Sequence, residues 1–542
     1  MIMKRKIISI GEKDMITVVP EEDKIGFPQT PFTCVSVGRA FELLRHDMML
    51  QMEKLQKEIG FKYCRFHGLF HDEMAVVRRK EDGTLAFQWN HIDKLFDNLK
   101  SVSIKPFVEL GAMPKALASE ESTIFYWKMN TSEPKDYSEW GQLVSAFVEH
   151  MIQRYGFDEV KTWYFEVWNE PNLKGFWPAG MEAYYKLYEV SAREIKAISP
   201  KLRVGGPSTA GGAFISEMID VCDKRNIPLD FITTHCYPCG EQCEYPDKEH
   251  SPYESGMYFI ERFHEVYEQV KNSKMPQLEI HWTEWNTMSW KWGAGEVDFI
   301  TNPCNDNHFS AGCIVRNMLG VADYCDSASF WSVSDMIEES GMPHSVFSAN
   351  MGMITVGGIP KASYNAFLLL KKLRGEKMKC VYGGYPAGFG AAAAYEEGVT
   401  KVLLYNSQIP DDDDNVETVN DTVEIPAPDG VYIVSTAAIK KGHGSCYESW
   451  AAMGMPQDLS PMQAEVLKAH STPEYGFRRI RAHGGKLKID FSLSADDVMY
   501  LEVQKEGFVA MPRDTGKVDI EKWNSMVTLE RRALDSLMEG IM

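Results

Sequence analysis

The strongest constraint on the fold is a regular alternation of short β-rich runs and amphipathic helical stretches between residues 30 and 375. Eight runs have the composition of buried strands: residues 32–40, 63–70, 106–113, 163–171, 202–208, 231–238, 278–286 and 328–335. Helical periodicity appears between them and after the last, at residues 140–155, 184–198, 214–225, 259–271, 309–324 and 364–373. Eight strand–helix pairs in one run predict an α/β fold, a (β/α)8 TIM barrel over residues 31–375.

An open, doubly wound parallel sheet is the alternative arrangement of alternating strands and helices. Such sheets commonly bind nucleotides through a glycine-rich loop that leads into a helix. The glycine-rich stretch at residues 205–212 contains no Gly-Lys-Ser/Thr sequence and no helix start at the required place. The barrel is therefore the favoured prediction.

The pattern changes near residue 375. Strand-like runs at residues 401–405, 430–435 and 486–491 are separated by polar turns, and no strong helical period returns before residues 523–542. This pattern predicts an additional β-sandwich domain over residues 376–542, with a C-terminal extension. Alternation at residues 6–19 predicts that residues 1–30 add strands to the same sandwich.

Composition and charge disfavour several classes of partner. Of the 542 residues 44% are hydrophobic, and the formal net charge of −20 argues against nucleic acid and anionic membrane surfaces. The basic N-terminus lacks the apolar core of a secretory signal, and no apolar run has the length of a membrane span. The 11 scattered cysteines are then typical of reduced thiols, so we expect a cytoplasmic protein.

Two predicted strands end in glutamates with similar neighbours. Glu170 closes the fourth strand and Glu284 closes the seventh, and a Trp and an Asn accompany each. Catalytic groups of TIM barrels lie at the C-terminal ends of the strands, so these carboxylates are expected to face each other across the barrel mouth. Paired carboxylates in that place are typical of glycoside hydrolysis. A structural ion pair with Arg or Lys is the alternative for either glutamate alone.

Both glutamates belong to longer segments that resemble glycoside hydrolase family 39, which contains β-xylosidases and α-L-iduronidases. The segments that carry the resemblance follow the order of the family: residues 65–72, 166–177, 234–238, 283–287, 330–339 and 358–367. The resemblance implies a retaining exo-glycosidase built from a barrel and a β-sandwich. It makes Glu170 the acid/base and Glu284 the nucleophile. No metal or organic cofactor is needed for this chemistry.

The strand pattern and the resemblance together suggest supporting roles. Asn169 suits a donor to the sugar 2-hydroxyl, and a strand-end cap is its alternative role. Arg65 and His67 share one face of a strand because side chains alternate. Arg65 is expected to keep the nucleophile ionised, and His67 to contact the sugar. Tyr237 is expected to hydrogen-bond the nucleophile and His235 a sugar hydroxyl. For the two histidines and Tyr237 the alternative is a buried structural role.

Aromatic and acidic residues at later positions complete the predicted site. Trp331, at the end of the eighth strand, is expected to form the stacking floor under the sugar, with a cis peptide to Ser332 as in related barrels. Glu338 or Glu339 is expected to grip the 3- and 4-hydroxyls of a terminal sugar; a solvated loop charge is the alternative. Phe176 is expected to frame the leaving-group side, where packing is the alternative.

A competing motif is formed by His235, Cys236, Cys239 and Cys243, whose residue types are those of a zinc site. The four residues are crowded into one short stretch, unlike the ligands of most structural zinc sites. His235 also belongs to the sugar-site motif. We therefore predict no metal site here.

The predicted function is a retaining β-xylosidase-like enzyme that releases single sugars from the non-reducing ends of short oligosaccharides. The alternatives are an α-L-arabinofuranosidase, another exo-β-glycosidase, and a catalytically idle sugar-binding or regulatory barrel. Residues 288–292 lack a Tyr that related β-xylosidases place after the nucleophile, which leaves the sugar open. An α-L-iduronidase ranks low because a uronate needs basic partners, and only Arg65 and Lys291 lie close to the motifs.

The expected partner is a short oligosaccharide or glycoside substrate. Neither nucleic acid nor a membrane is expected to bind. By the same resemblance, a homo-oligomer, either dimer or tetramer, is a further expectation.

Overall fold

In the described part of the chain, eight parallel strands close into a barrel in which neighbours follow the order of the sequence. The computed structural model describes residues 14–21, 24–237, 258–287, 304–336, 339, 341, 343, 345–386, 388–407 and 418–507. Barrel strands 1 to 8 are Cys34–Arg39, Tyr63–His67, Lys105–Leu110, Tyr164–Val167, Arg203–Thr209, Phe231–Cys236, Glu279–Trp285 and Ser327–Trp331. Phe330 and Trp331 of strand 8 pair with Val35 and Ser36 of strand 1, which closes the ring. The TIM-barrel prediction is confirmed and the open sheet is excluded.

Helices cover the outside of the barrel, so the strands are buried on both faces and their sequences are apolar runs. The helices of this region are His46–Glu58, Asn90–Ser101, Tyr137–Tyr155, Phe157–Val160, Met181–Ile198, Ile215–Arg225, Tyr258–Lys271, Phe309–Val321 and Ala362–Leu370. Each predicted helical stretch overlaps one of them. The helix predicted from residue 140 begins earlier, because Asp136 caps its first turn by accepting a hydrogen bond from the Ser138 backbone N–H at 2.8 Å.

Short elements decorate the barrel. Two small hairpins pair Val77–Arg79 with Leu85–Phe87 and Thr123–Ile124 with Met129–Asn130. Single turns of 3₁₀ helix occur at Thr30–Phe32, Ala40–Leu44, Asp72–Met74 and Ala210–Gly212. The second hairpin follows barrel strand 3 and brings loop residues towards the carboxyl ends of the strands.

The lower end of the barrel is filled by side chains from the starts of the strands. Cys34, Tyr63, Phe107, Tyr164 and Phe231 form one buried cluster. Phe107 and Tyr164 stack with their ring centroids 4.8 Å apart. Because this end is packed, the barrel offers its ligand space at the carboxyl ends of the strands.

Beyond the barrel, ten strands of the described residues form one curled sheet with an apolar core of its own. They are Asp14–Pro20, Glu376–Gly383, Phe389–Glu396, Val399–Asn406, Val419–Pro426, Gly430–Lys441, Gly444–Ser445, Glu474–Ala482, Lys486–Leu493 and Val498–Lys505. The strand Asp14–Pro20 pairs with Glu376–Gly383 and with Val419–Pro426, so the N-terminal residues do join this sheet. The domain limits at residues 30 and 375 stay a prediction.

Although no strong helical period marks residues 376–522 in the sequence, the described part of this domain contains two helices. Helices occur at Tyr447–Ala452 and Pro461–His470. The second is too short for a clear period and has one buried residue, Leu467, so local capping supports it instead. Ser460 and Gln463 form a reciprocal capping box at its start. Residues 523–542 lie outside the described residues.

The second domain packs on the two last barrel helices. The Asn365 side-chain amide donates to the carbonyls of Gly444 and Ser471, at 2.9 and 2.7 Å. Leu403, Ile439 and further sheet residues join the apolar core of the barrel. Within the described residues, no helix combines the length and apolar content of a membrane span.

Candidate active site

A cavity of about 340 Å³ lies at the carboxyl ends of the barrel strands. Its lining residues are His67, Ile124, Phe125, Asn169, Glu170, Leu173, Gly175, Phe176, Ala210, Gly211, Tyr237, Glu284, Trp331, Glu339 and Met351. The list contains most of the residues that the sequence singles out, drawn from loops or strand ends all round the barrel. Arg65 and His235 lie beneath it, fully buried.

Glu170 and Glu284 lie close together at the bottom of this cavity. One carboxylate oxygen of each, with a ring nitrogen of His235, lies within 4.8 Å of the other two atoms. Glu284 belongs to barrel strand 7. Glu170 follows strand 4 with a φ of 43°, a left-handed conformation that is uncommon for a side chain of this size. Its backbone N–H donates to the Ser208 carbonyl at 2.8 Å, which holds this turn against strand 5.

Arg65 is the electrostatic centre beneath the two glutamates. Its Nε donates to Glu166 Oε2 at 2.6 Å and its Nη1 to Glu284 Oε1 at 2.7 Å. Its Nη2 lies 3.0 Å from Glu109 Oε2 and donates to Asn169 Oδ1 at 2.9 Å. One buried guanidinium is thus shared by three carboxylates. Because the side-chain oxygen of Asn169 already accepts a hydrogen bond from Arg65, its Nδ2 group is the donor left for a ligand.

The surroundings of Glu284 favour its ionised form. Burial alone would raise the pKa of Glu284, but His235, Arg65 and His67 together hold it well below the ordinary value. The hydroxyl of Tyr237 donates to Glu284 Oε2 at 2.8 Å, as the sequence predicts. Burial and the neighbouring Glu284 charge raise the pKa of Tyr237 well above its ordinary value, so the phenol keeps the proton that it donates.

His67 bridges Glu284 and Glu109. Its Nε2 lies 3.3 Å from Glu284 Oε1, and its Nδ1 lies 2.5 Å from Glu109 Oε2. Burial opposes charge on the ring, but Glu109 and Glu284 outweigh it and raise the pKa of His67 to about 10. Its ring also lies against Trp331, with 4.5 Å between the centroids. Two carboxylates next to one ring favour the imidazolium form of His67.

We expect His67 to remain doubly protonated through neutral pH. The pKa of the folded state is raised from 6.5 to about 10, so the stabilisation from this imidazolium is full below pH 6.5 and is lost as the pH rises towards 10. Ring ¹⁵N spectra recorded from pH 5 to 11 report the midpoint, and the spectrum of His67→Ala assigns the signal. A midpoint near the ordinary value would show that the two carboxylates do not hold the charge.

His235 contacts the predicted acid/base rather than the open cavity. Its Nδ1 lies 2.9 Å from Glu170 Oε1 and 3.7 Å from Glu284 Oε2, and its Nε2 lies 3.2 Å from Ser208 Oγ. The ring is fully buried and does not line the cavity. The sugar contact that the sequence predicts for His235 stays a prediction; in this geometry both ring nitrogens lie against protein side chains, Glu170 and Ser208.

Trp331 forms one wall of the cavity, and its peptide bond to Ser332 is cis, as expected. The side-chain amide of Asn286 donates to the carbonyls of Trp331 and Met351 and ties the two segments together. Glu339 also lines the cavity. Burial, with the negative charges of Glu284 and Glu170, raises the pKa of Glu339 to about 7 although His67 opposes the shift. Glu338 lies outside the described residues.

The structure adds residues to the site that the sequence analysis did not select. Glu109 and Glu166 are buried charges within two strands, and a charge in an apolar strand is a signal that a partner is near. Phe125 comes from the hairpin after strand 3, where no pattern marks it. Its ring packs edge-on against Phe176, with 5.4 Å between the centroids. Phe176 therefore lines the cavity and also packs against another ring.

Two groups of residues offer metal-ligand atoms. Cys239 and Cys243 lie outside the described residues, and the nitrogens of His235 face Glu170 and Ser208. Glu170, His235 and Glu284 are the other group, with two carboxylates and an imidazole. Arg65 and His67 already lie against Glu284. Their positive charges disfavour a metal cation in the same place.

The comparisons with known proteins cover most of the chain. The model for glycosyl hydrolases family 39 matches residues 15–487. A beta-xylosidase of Geobacillus stearothermophilus is 33% identical over 499 residues, which are 90% of this chain and 95% of that protein. A beta-xylosidase of Caldicellulosiruptor saccharolyticus is 36% identical over 438 residues, which are 80% of this chain and 86% of that protein.

A solved structure gives the same result. The crystal structure of a monomeric beta-xylosidase from Caulobacter crescentus CB15 superposes with a TM-score of 0.80 at 31% identity. The match covers 91% of this chain and 100% of that one. Because the family model matches residues 15–487 and the chain folds into a barrel with paired glutamates at its mouth, the chain is a glycoside hydrolase and belongs to glycosyl hydrolase family 39.

Proposed function

We propose that the protein is a retaining exo-β-xylosidase that works through a covalent glycosyl-enzyme intermediate. The observation that carries the proposal is the short separation of the two carboxylates, whose nearest oxygens lie within 4.8 Å. Retaining enzymes hold their carboxyl groups about 5–5.5 Å apart, whereas inverting enzymes leave about 6.5–9.5 Å for a water molecule. The xylosidase assignment draws on the beta-xylosidases that resemble this chain.

In the first step, a carboxylate oxygen of Glu284 attacks the anomeric carbon. The bond from that carbon to the glycosidic oxygen breaks, and its electron pair stays on the oxygen, which takes a proton from Glu170. The sugar is then esterified to Glu284 and the alcohol leaves. In the second step Glu170 takes a proton from water, the water oxygen attacks the same carbon, and Glu284 departs as a carboxylate.

The contacts of the two glutamates support this division of roles. Glu284 receives hydrogen bonds from Arg65 and Tyr237, which hold it ionised as a nucleophile requires. No arginine or lysine of the described residues forms an ion pair with Glu170, whose close partner is the Nδ1 of His235 at 2.9 Å.

The rest of the cavity supports cleavage at a chain end. Trp331 offers a flat apolar wall, and Asn169 offers a donor for the 2-hydroxyl. Glu339 is placed to accept hydrogen bonds from further hydroxyls. An α-L-arabinofuranosidase, another exo-β-glycosidase or an idle sugar-binding barrel would present the same carboxylate pair. A panel of aryl glycosides that differ only in the sugar distinguishes these candidates by their kcat/KM values.

Rescue by azide tests the role of Glu170. Glu170→Ala should still form the intermediate from 2,4-dinitrophenyl β-D-xyloside, because this leaving group needs no proton. Hydrolysis of the intermediate should become about 10²–10⁴-fold slower, since the general base is lost. Azide needs no base, so it should raise turnover at least about tenfold and give β-xylosyl azide.

The exposed Glu182→Ala variant is the matched control and should show no azide effect. An α-xylosyl azide product would instead assign Glu170 as the nucleophile. The absence of any azide effect on Glu170→Ala would remove it from the acid/base role.

A further inference from the structure

We propose that the leaving-group side of the cavity selects apolar aglycones. The preferred substrates are then xylosides of flat or chain-like apolar alcohols, more than xylo-oligosaccharides. The inference rests on the proposed function and specifies which leaving groups the enzyme prefers. It concerns the wall of the cavity next to Glu170, because the departing oxygen must reach that carboxyl group.

This wall, the aglycone wall, consists of Ile124, Phe125, Leu173, Phe176, Ala210 and Gly211. Leu173 and Phe176 follow Glu170 in the chain, and the Leu173 backbone N–H donates to the Glu170 carbonyl at 2.9 Å. None of the six carries a polar side chain. The polar side chains of the described lining are Glu170, Glu284, Glu339, His67, Asn169 and Tyr237, which surround the carboxylate pair.

Several backbone groups of the aglycone wall are already hydrogen-bonded and so are not free for a ligand. The Asn172 side chain accepts from the Ala210 N–H at 2.9 Å and donates to the Ala210 carbonyl at 3.2 Å. Arg262 Nε donates to the Gly211 carbonyl at 2.7 Å. These bonds occupy both backbone polar groups of Ala210 and the carbonyl of Gly211.

Backbone groups of the loop after strand 4 are paired in the same way. The Phe176 N–H donates to the Leu173 carbonyl at 3.0 Å. The Phe176 carbonyl accepts from the Trp168 indole at 3.0 Å. On the hairpin after strand 3, the Phe125 carbonyl accepts from the Lys128 N–H at 3.0 Å. These backbone groups of the three loops are thus already paired, and the side chains of the aglycone wall are apolar.

Hydration decides which leaving group such a wall favours. The hydroxyls of a second xylose would lose water against this wall and gain few new hydrogen bonds, which costs free energy for each unpaired group. An alkyl or aryl group gains free energy in proportion to the apolar area that it buries. The aromatic edge of Phe125 and Phe176 also suits a flat ring.

A series of alkyl β-D-xylosides tests the proposal with the wild-type enzyme. Methyl, butyl and octyl alcohols have similar acidities, so the chemical step is matched while the apolar area grows. We expect kcat/KM to rise by about 10- to 50-fold from methyl to butyl, as three further methylenes are buried. Xylobiose, whose leaving hydroxyl is also an aliphatic alcohol, should resemble methyl xyloside rather than butyl xyloside.

Substitutions in the wall test whether these residues are responsible. Leu173→Asn keeps the branching and the number of side-chain heavy atoms but replaces two methyl groups by an amide, so the butyl-to-xylobiose ratio of kcat/KM should fall at least about fivefold. Phe176→Ala should also lower the butyl-to-methyl ratio. The exposed Lys174→Ala, on the same loop, should leave both ratios unchanged.

The outcomes separate this inference from the proposed function. If no xyloside is hydrolysed, the proposed function is wrong and this inference falls with it. If the xylosides are hydrolysed but kcat/KM is flat across the alkyl series, or xylobiose is the best substrate, only the inference is overturned. Unchanged ratios in Leu173→Asn and Phe176→Ala would place the selecting residues elsewhere and overturn it as well.

Discussion

Glu284→Ala is expected to reduce hydrolysis of aryl β-D-xyloside by at least about 10⁴-fold, because the covalent route is lost with the nucleophile. We expect kcat/KM to decrease even with an activated leaving group, because the variant cannot form the glycosyl-enzyme intermediate. The variant also leaves Arg65 with two carboxylates instead of three. The net charge of this buried network becomes less negative, so we expect the fold to survive. Initial rates and a thermal unfolding curve measure the two effects.

The controls for this variant are a surface glutamate and an added nucleophile. Glu217→Ala, on an exposed helix position, should retain wild-type rates. Azide added to Glu284→Ala should give α-xylosyl azide, because it attacks from the face that the carboxylate has vacated. Equal rates for Glu284→Ala and the wild type would end the proposed function and favour an idle sugar-binding barrel or a site elsewhere.

Arg65→Met is expected to destabilise the protein by about 3–5 kcal/mol, the usual cost of removing one partner from a buried ion pair. Three buried carboxylates, Glu109, Glu166 and Glu284, lose their shared cation. Total stabilities of domains are about 5–15 kcal/mol, so the change is a large fraction of the whole. Urea unfolding measures it. Activity should fall as well, because the nucleophile loses a hydrogen-bond donor.

The pH dependence of stability should reverse in Arg65→Met. In the wild type, the pKa of Glu284 lies below its ordinary value of 4.5, so its stabilisation is present above that pH and is lost on acidification. Without Arg65, buried carboxylates bind protons more tightly in the folded state, so stability should fall as the pH rises above 4.5. Adding Glu166→Gln to Arg65→Met should recover part of the loss.

Arg193→Met is the matched control for this loss. Arg193 pairs with Glu189 on an exposed helix face, where such pairs contribute at most about 1 kcal/mol. If the two substitutions lower the free energy of unfolding equally, the buried network around Arg65 contributes no more to stability than an exposed ion pair.

The barrel could be predicted because each strand–helix pair repeats the same local pattern, and burial on both faces makes each strand a long apolar run. The pair Glu170 and Glu284 could be predicted because both interrupt such runs at their ends. Strand limits were less accurate at residues 163–171, where the strand ends at Val167 and the following turn takes left-handed conformations at Trp168 and Glu170. An apolar pattern does not record where the backbone turns.

Other parts of the site depend on contacts between distant segments, which no local pattern records. Phe125 reaches the cavity only because a hairpin after strand 3 folds over the barrel mouth. Asn172 joins two loops that are 38 positions apart. The sequence places His235 on the correct strand and face, but its ring nitrogens are occupied by Glu170 and Ser208, and that occupancy is a property of the assembled barrel.

The strand Asp14–Pro20 precedes the barrel in the sequence, but it pairs with two strands that follow the barrel. This pairing affects the order in which the two domains can fold. This strand is synthesised before the barrel, whereas its partners Glu376–Gly383 and Val419–Pro426 are made only after the whole barrel. During synthesis, the barrel can close while the early strand still has unpaired backbone groups, and the curled sheet must wait for the late strands.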